Sequence, residues 1–161
     1  MSSLDEHELR SGFAEVLKHG IIADHLHLRD TVCHLENGLP EIDDLIQQSI
    51  QIKLKITEQD PFENNERKAL NFGHTIGHAL ESYALINKID LLHGEAIVMG
   101  MMIESELAFS LGHLAKEDRD EIDNGLSAKF TKANISKVDF KVLSEFLLQD
   151  KKNTSEICFS F

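Results

Sequence analysis

The sequence predicts an all-α fold, in which several helices pack around one hydrophobic core. Its 161 residues, 42% of them hydrophobic, suffice for one domain with a core of its own. Only 2 prolines and no tryptophan occur, and few stretches alternate apolar with polar residues, which favours helices over a β-sandwich or a β-barrel. Residues 1–161 are therefore expected to form a single helical domain.

Helix-capping signals and the helical spacing of apolar residues divide the chain into six predicted helices. Ser3 and Glu6 form a capping box at the start of the first helix, and Pro40 stands at a favourable first position of the second. Gly112 is a favourable C-cap for the fourth helix. The predicted helices run over about residues 3–18, 41–59, 65–85, 93–111, 116–130 and 137–149.

Two glycines in the third predicted helix indicate a close contact. Gly73 and Gly77 are four residues apart and therefore share a helical face. Each costs about 1 kcal/mol relative to alanine in a helix interior, so another helix or a ligand is expected to approach that face. The fourth predicted helix contains the run 96–102, which is apolar nearly all round, and it is expected to be buried.

Charge and targeting signals exclude several classes of function. The formal net charge is −12 and the pI is near 5.1, so binding to nucleic acid or to an anionic membrane is not expected. No apolar run approaches the ~20 residues that span a bilayer, and the N-terminus shows no signal-peptide core. Cys33 and Cys158 fit no metal or redox spacing and are expected to be free thiols. The expected location is cytoplasmic, and a small anionic ligand stays compatible with the charge.

The segment 67–78 is the richest in candidate functional residues. His74 and His78 are four apart, so both rings lie on one helical face and are able to bind one divalent ion. Glutamate is absent after the first histidine, which excludes the zinc-protease pattern. Arg67 and Asn71 extend these histidines into a polar stripe. Spacing alone leaves two interpretations open, a ligand-binding face or a solvated one, and the flanking glycines favour the first.

Three more candidates lie in other predicted helices. His93 opens the buried fourth helix, where the helix N-terminus favours a neutral imidazole able to bind metal. Glu15 lies among apolar residues, and a buried carboxylate needs a cation, which a metal would supply. Lys18 follows Glu15 by one turn on the same face. Each residue also has an ordinary interpretation, as a helix cap or a solvated side chain.

Three blocks taken together resemble the 3-dehydroquinate synthase family. They are EVLKHG at 15–20, NFGHTIGHA at 71–79 and HGEA at 93–96, and they occur in the family's order and approximate spacing. The resemblance extends over almost the whole chain. It implies the multi-helix C-terminal domain of the dehydroquinate synthase-like fold, a domain that binds metal and substrate.

The resemblance also implies a set of site residues. It assigns Zn²⁺, or Co²⁺ in its place, to Glu15, His74 and His93, and so replaces the His74–His78 pair that spacing suggested. His78 becomes a substrate contact beside the metal. The implied catalytic and substrate-binding residues are Lys18, Lys53, Arg67, Asn71, His78 and Lys152. Lys152 is preferred over its neighbour Lys151 as the functional lysine.

The implied reaction converts a small anionic sugar phosphate, 3-deoxy-D-arabino-heptulosonate 7-phosphate, into 3-dehydroquinate with loss of phosphate. This is a step of the shikimate pathway, which leads to aromatic amino acids. The family also uses NAD, bound by an N-terminal α/β domain, and no glycine-rich strand-turn-helix fingerprint occurs in this sequence. The sequence is therefore expected to be a fragment that is inactive alone, with that N-terminal domain as its missing partner. Whether it forms a homodimer is left open.

Three alternatives remain at this stage. Another sugar-phosphate cyclase, similar to 2-deoxy-scyllo-inosose synthase, shares zinc, NAD and much of the motif set. A metal-dependent polyol dehydrogenase shares the two-domain plan but lacks the cationic residues around the metal, because its substrates carry no phosphate or carboxylate. The third alternative is a non-catalytic helical module that binds metal or a protein.

Overall fold

The computed structural model describes residues 6–37, 42–127, 130, 140–149 and 159. Every regular element within those ranges is a helix, which confirms the all-α prediction. That residues 1–161 form one domain stays a prediction. The elements are α1 (Glu6–Ala23), α2 (His25–Glu36), α3 (Asp43–Gln59), a 3₁₀ helix (Glu66–Asn71), α4 (His74–Asn87), α5 (His93–Ser110), α6 (Lys116–Ser127) and α7 (Phe140–Gln149).

Helix α5 is the centre of the described structure, as its apolar composition predicts. Ile97 and Met101 are fully buried and pack in a cluster with residues of α1, α2, α3 and α6, including Leu17. Met99 faces a second cluster, which α4 and α7 complete through residues such as Leu80. Because hydrophobic burial drives the packing, α5 fixes where α1 and α4 lie relative to each other.

The first part of the chain contains one more helix than predicted. Helix α1 does not end near Lys18 but continues to Ala23, and α2 follows almost at once. Asp24 separates the two helices in an extended conformation and caps α2. Its carboxylate accepts hydrogen bonds from two N–H groups of the first turn, at 3.0 and 3.2 Å.

The third predicted helix is in fact two elements. Gly73 adopts a left-handed backbone conformation with φ of +79°, which ends the 3₁₀ helix and places His74 at the first position of α4. The prediction of one continuous helix is therefore wrong. The stripe of Arg67, Asn71, His74 and His78 belongs to two elements and not to one helical face.

The expectation that another element approaches the glycines is confirmed. A Cβ atom on Gly100 of α5 would lie 2.0 Å from the carbonyl oxygen of Gly73, and one on Gly77 would lie 2.7 Å from Cδ1 of Ile97. Side chains at these positions would separate the helices. The backbones of α4 and α5 are therefore in direct contact, which only glycine permits.

A fully buried carboxylate, Glu104, anchors the start of α4. Its Oε2 accepts a hydrogen bond from the N–H of Gly73 at 2.9 Å, and its Oε1 accepts one from Ile76 at 3.4 Å. Gly73 offers no side chain that could cap α4, so Glu104 satisfies the helix N-terminus from a neighbouring helix. Burial raises the pKa of Glu104 to about 7, although the backbone hydrogen bonds oppose that shift.

The start of α5 is held against α1 in a similar way. The N–H of Gly94 donates a hydrogen bond to Oγ of Ser11 at 2.9 Å. A Cβ atom on Gly94 would lie 1.9 Å from the carbonyl oxygen of Ser11. This contact brings the first turn of α5, including His93, beside α1.

The remaining predicted boundaries are partly borne out. Helix α5 ends at Ser110, and Gly112 follows with φ of +79°, as expected for a C-terminal glycine. Helix α6 ends at Ser127, earlier than predicted. The expected caps Ser3 and Pro40 and the start of the last predicted helix lie outside the described residues. No helix in the described ranges is long and apolar enough to cross a membrane.

We expect Gly100→Ala to lower the free energy of unfolding by about 3 kcal/mol, because the new methyl group would overlap the backbone of Gly73. Gly12→Ala is the matched control. Gly12 lies within α1 with nothing near its Cβ position, so alanine there should raise stability by up to about 1 kcal/mol. Urea unfolding followed by circular dichroism measures both. Equal effects of the two substitutions would contradict the close contact of α4 with α5.

The raised pKa of Glu104 predicts a pH-dependent stability. The folded state holds the Glu104 proton more tightly than the unfolded chain, so this contribution is complete below the ordinary pKa of 4.5 and is lost as pH rises to about 7. Relative to Glu104→Gln, the wild type should lose about 3 kcal/mol over that interval. Urea titrations of both proteins between pH 4.5 and 8 test this, and a constant difference between them would refute the assignment.

Candidate metal centre

Glu15, His74 and His93 converge beside the first turns of α4 and α5. Each offers one ligand atom, and the three atoms lie within 4.8 Å of one another. Across the described parts of the chain, no other group of three such residues meets this criterion. Glu15 comes from the middle of α1, whereas the histidines are the first residues of α4 and α5. The packing of three helices therefore creates the cluster, which could hold a metal ion.

The two oxygens of Glu15 have different surroundings. Oε2 accepts a hydrogen bond from Nζ of Lys18 at 2.7 Å. Oε1 is buried without a hydrogen-bond partner and lies 3.5 Å from Nε2 of His74. Burial raises the pKa of Glu15, but the charge and hydrogen bond of Lys18, with smaller contributions from His74 and His19, hold that pKa below its usual value. An ionised, partly unsatisfied carboxylate oxygen is suited to a cation.

His74 presents one ring nitrogen to Glu15. Its Nδ1–H donates to the carbonyl oxygen of Phe72 at 3.2 Å, which leaves Nε2 directed at the cluster. Burial, and then the positive charge of Lys18, lower the pKa of His74 to about 4. The ring is therefore neutral at pH 7, as a metal ligand must be. One carboxylate and two imidazoles are a donor set that fits a divalent transition ion.

His78 lies beside the cluster without belonging to it. Its ring centroid is 5.2 Å from that of His74 and 6.0 Å from that of His93. The spacing argument that paired His74 with His78 therefore identified two neighbouring rings, but the compact group is Glu15, His74 and His93. The ligand role of these three residues stays a prediction.

A polar cavity of about 190 Å³ adjoins the cluster. It holds the positively charged side chains of Lys18, Lys53 and Arg67, which come from three different elements. The full lining consists of Glu15, Lys18, His19, Lys53, Glu63, Arg67, Leu70, Asn71 and His74. The three cations outnumber the two carboxylates of the lining, so the cavity favours an anionic ligand despite the acidic charge of the chain as a whole.

Asp60 organises the turn that carries Arg67. Its carboxylate accepts backbone hydrogen bonds from Asn65 at 2.7 Å, Asn64 at 3.0 Å and Arg67 at 3.2 Å. These bonds, first among them that from Asn65, lower the pKa of Asp60. The Arg67 guanidinium in turn donates through Nη1 to the carbonyl oxygen of Pro61 at 2.8 Å. The arginine is thus held at both its backbone and its side chain.

Two polar residues of the cavity, His19 and Glu63, were not predicted as site residues. His19 is buried, with Nδ1 2.6 Å from Oγ of Ser49, and burial and then Lys18 lower its pKa to about 4. Glu63 accepts a hydrogen bond from Nδ2 of Asn71 at 2.6 Å. His19 lies next to Lys18 within the block EVLKHG, which was a signal that the prediction did not use. No sequence pattern indicates Glu63, because the turn after α3 brings it to Asn71 and the geometry of that turn was not predicted.

A larger cavity, of about 490 Å³, lies elsewhere and is lined mainly by apolar residues, among them Ile21, Phe72 and Ile122. It contains none of the predicted site residues, so the smaller polar cavity is the better candidate for binding an anion. Lys152, its neighbour Lys151 and the late lysine motif lie outside the described residues.

Comparison of the sequence with known proteins finds one family. The family model described as 3-dehydroquinate synthase C-terminal matches residues 12–153. A 3-dehydroquinate synthase of Streptococcus pyogenes serotype M5 (strain Manfredo) is 38% identical over 161 residues, which is 97% of this chain and 44% of that protein.

Two relatives from other bacteria show the same coverage. The 3-dehydroquinate synthase of Parabacteroides distasonis is 32% identical over 98% of this chain and 45% of its own length. That of Thermodesulfovibrio yellowstonii is 37% identical over 95% of this chain and 44% of its own length. The sequence thus spans less than half the length of these curated relatives. Since the family model covers most of the sequence, the chain belongs to the 3-dehydroquinate synthase C-terminal family.

Proposed function

We propose that this chain is the metal- and substrate-binding part of a 3-dehydroquinate synthase. The proposed reaction converts 3-deoxy-D-arabino-heptulosonate 7-phosphate to 3-dehydroquinate with loss of phosphate, in the shikimate pathway and in the cytoplasm. The observation that carries the proposal is the position of the three candidate ligands beside a cavity lined by three cations.

The proposed metal is zinc, or cobalt in its place, held by Glu15, His74 and His93. When bound, such an ion would polarise the oxygens of the substrate as a Lewis acid. Lys18 favours the protonation states that metal binding requires, which are the ionised form of Glu15 and the neutral form of His74.

The proposed substrate contacts lie in the cationic cavity. Arg67 suits a carboxylate or a phosphate, either of which its planar guanidinium is able to bind through two hydrogen bonds. Lys53 and Lys18 add positive charge, and Asn71 adds an amide that Glu63 orients. His78 borders the candidate metal cluster, and we propose that it contacts the substrate beside the ion.

The reaction needs parts that this sequence does not supply. NAD would provide a reversible hydride acceptor, and we propose that it binds to an N-terminal half, since the relatives are more than twice as long as the matched region. We include Lys152 in the site on the resemblance alone. A homodimer is compatible with the proposal.

We expect the metal-free chain to bind Zn²⁺ and to gain about 2.7 kcal/mol of stability at a free zinc concentration 100 times the Kd. Glu15→Ala and His93→Ala should each lower the affinity at least roughly 100-fold, because each removes a donor from a set of three. Competition with a chelator and thermal unfolding measure these effects.

His25→Ala is the matched control for the metal experiment. His25 is exposed at the start of α2 and lies near Glu121 rather than near the cluster. Its replacement should leave zinc affinity unchanged. A wild-type chain that takes up no zinc, or equal losses in all three variants, would contradict the proposed metal centre.

Two lysines of α3 offer a test of the substrate site. Lys53 lines the cavity, whereas Lys55, also exposed on α3, does not. Lys53→Ala should weaken substrate binding to the zinc-loaded chain by roughly 10- to 100-fold, as expected for a hydrogen bond between charged groups, and Lys55→Ala should not. Isothermal titration with the sugar phosphate compares them.

Phosphate release tests the reaction itself. With substrate, NAD and zinc, we expect no release from the chain alone and release once an N-terminal half is joined to it. Turnover by the chain alone at an ordinary enzyme rate, about 1 s⁻¹ or more, would refute the proposal that the reaction also needs an N-terminal half. A panel of sugar phosphates in the same assay separates this reaction from those of other cyclases.

A further inference from the structure

A second carboxylate contacts the metal cluster from outside it. Oε2 of Glu81 lies 3.2 Å from Nδ1 of His93. Glu81 is seven residues, or two helical turns, after His74, so the two side chains share one face of α4. The contact therefore ties a side chain two turns along α4 to the first residue of α5.

The two imidazoles of the cluster are held in the same way but by different groups. Nδ1–H of His74 donates to a backbone carbonyl, that of Phe72, which the local turn supplies. Nδ1 of His93 has the Glu81 carboxylate instead. A carboxylate only accepts hydrogen bonds, so the proton of a neutral His93 ring lies on Nδ1 and the lone pair lies on Nε2. Glu81 therefore selects the tautomer whose Nε2 is able to bind a metal.

The contact contributes little to the stability of the fold. The side chains of His93 and Glu81 are 47% and 42% exposed, and exposed pairs of this kind add little to folding. Glu81 is also not part of the three-residue group whose ligand atoms meet. Its effect is therefore directed at the orientation of the His93 ring, which a hydrogen-bonded carboxylate fixes.

We propose that Glu81 is a positioning residue, which orients the His93 ring so that Nε2 faces a divalent cation held with Glu15 and His74. The inference rests on the metal centre of the proposed function. It adds a residue that acts through His93 and does not itself contact the ion.

Glu81→Ala should lower Zn²⁺ affinity by about 10- to 100-fold, the range for loss of a group that orients a ligand. Glu81→Gln should lower it less, because the amide oxygen still accepts from Nδ1–H. Glu106→Gln is the control, since Glu106 is an exposed carboxylate paired with Arg119 on another face. All variants should keep the metal-free melting temperature of the wild type, and chelator competition gives the affinities.

A second measurement needs no metal. The ¹⁵N chemical shifts of His93 in the metal-free protein at pH 8 should report an Nδ1–H tautomer in the wild type and a mixture in Glu81→Ala. The inference is overturned if Glu81→Ala keeps both the wild-type zinc affinity and the wild-type tautomer while the wild type binds zinc. If the wild type binds no zinc, the proposed metal centre fails as well, and the two failures are distinguishable.

Discussion

The contact between the backbones of α4 and α5 is the constraint on which the candidate site depends. Gly100 lies against the carbonyl of Gly73, and Glu104, one turn further along α5, accepts hydrogen bonds from the N-terminus of α4. These contacts fix where α4 begins. Because His74 is its first residue and His93 is the first residue of α5, the same contacts bring the two imidazoles to one end of the helix pair.

Lys18 links the candidate metal cluster to the cationic cavity. Its buried ammonium bonds to one oxygen of Glu15 and also lines the cavity. Burial raises the pKa of Glu15, but the charge and hydrogen bond of Lys18 contribute to a net lowering. Burial and then Lys18 lower the pKa of His74, so both groups are deprotonated near pH 7. One buried cation therefore favours the deprotonated form of both candidate ligands and adds to the positive charge of the cavity.

The sequence predicted the helical class better than it predicted the arrangement of the helices. Helix α2 was missed because half of its buried positions are polar, His27 and Thr31 among them, so apolar periodicity is weak there. The break at Gly73 was missed because a glycine within a helix and a left-handed glycine look alike in sequence, and here Glu104 decides between them. The spacing argument paired His74 with His78. Tertiary packing instead brings Glu15 and His93 close to His74, and only the resemblance predicted that group.

The exposure of the three candidate ligands indicates where the site opens. The exposed fraction of the side chain rises from 19% for His74 to 38% for Glu15 and 47% for His93. The open side is thus that of His93, where His78 is also exposed. Solvent there competes with the hydrogen bond that Glu81 makes to His93, since exposed hydrogen bonds exchange readily with water. A domain that covered this side would exclude that water. The orientation of the His93 ring and the covering of the site are therefore expected to depend on each other.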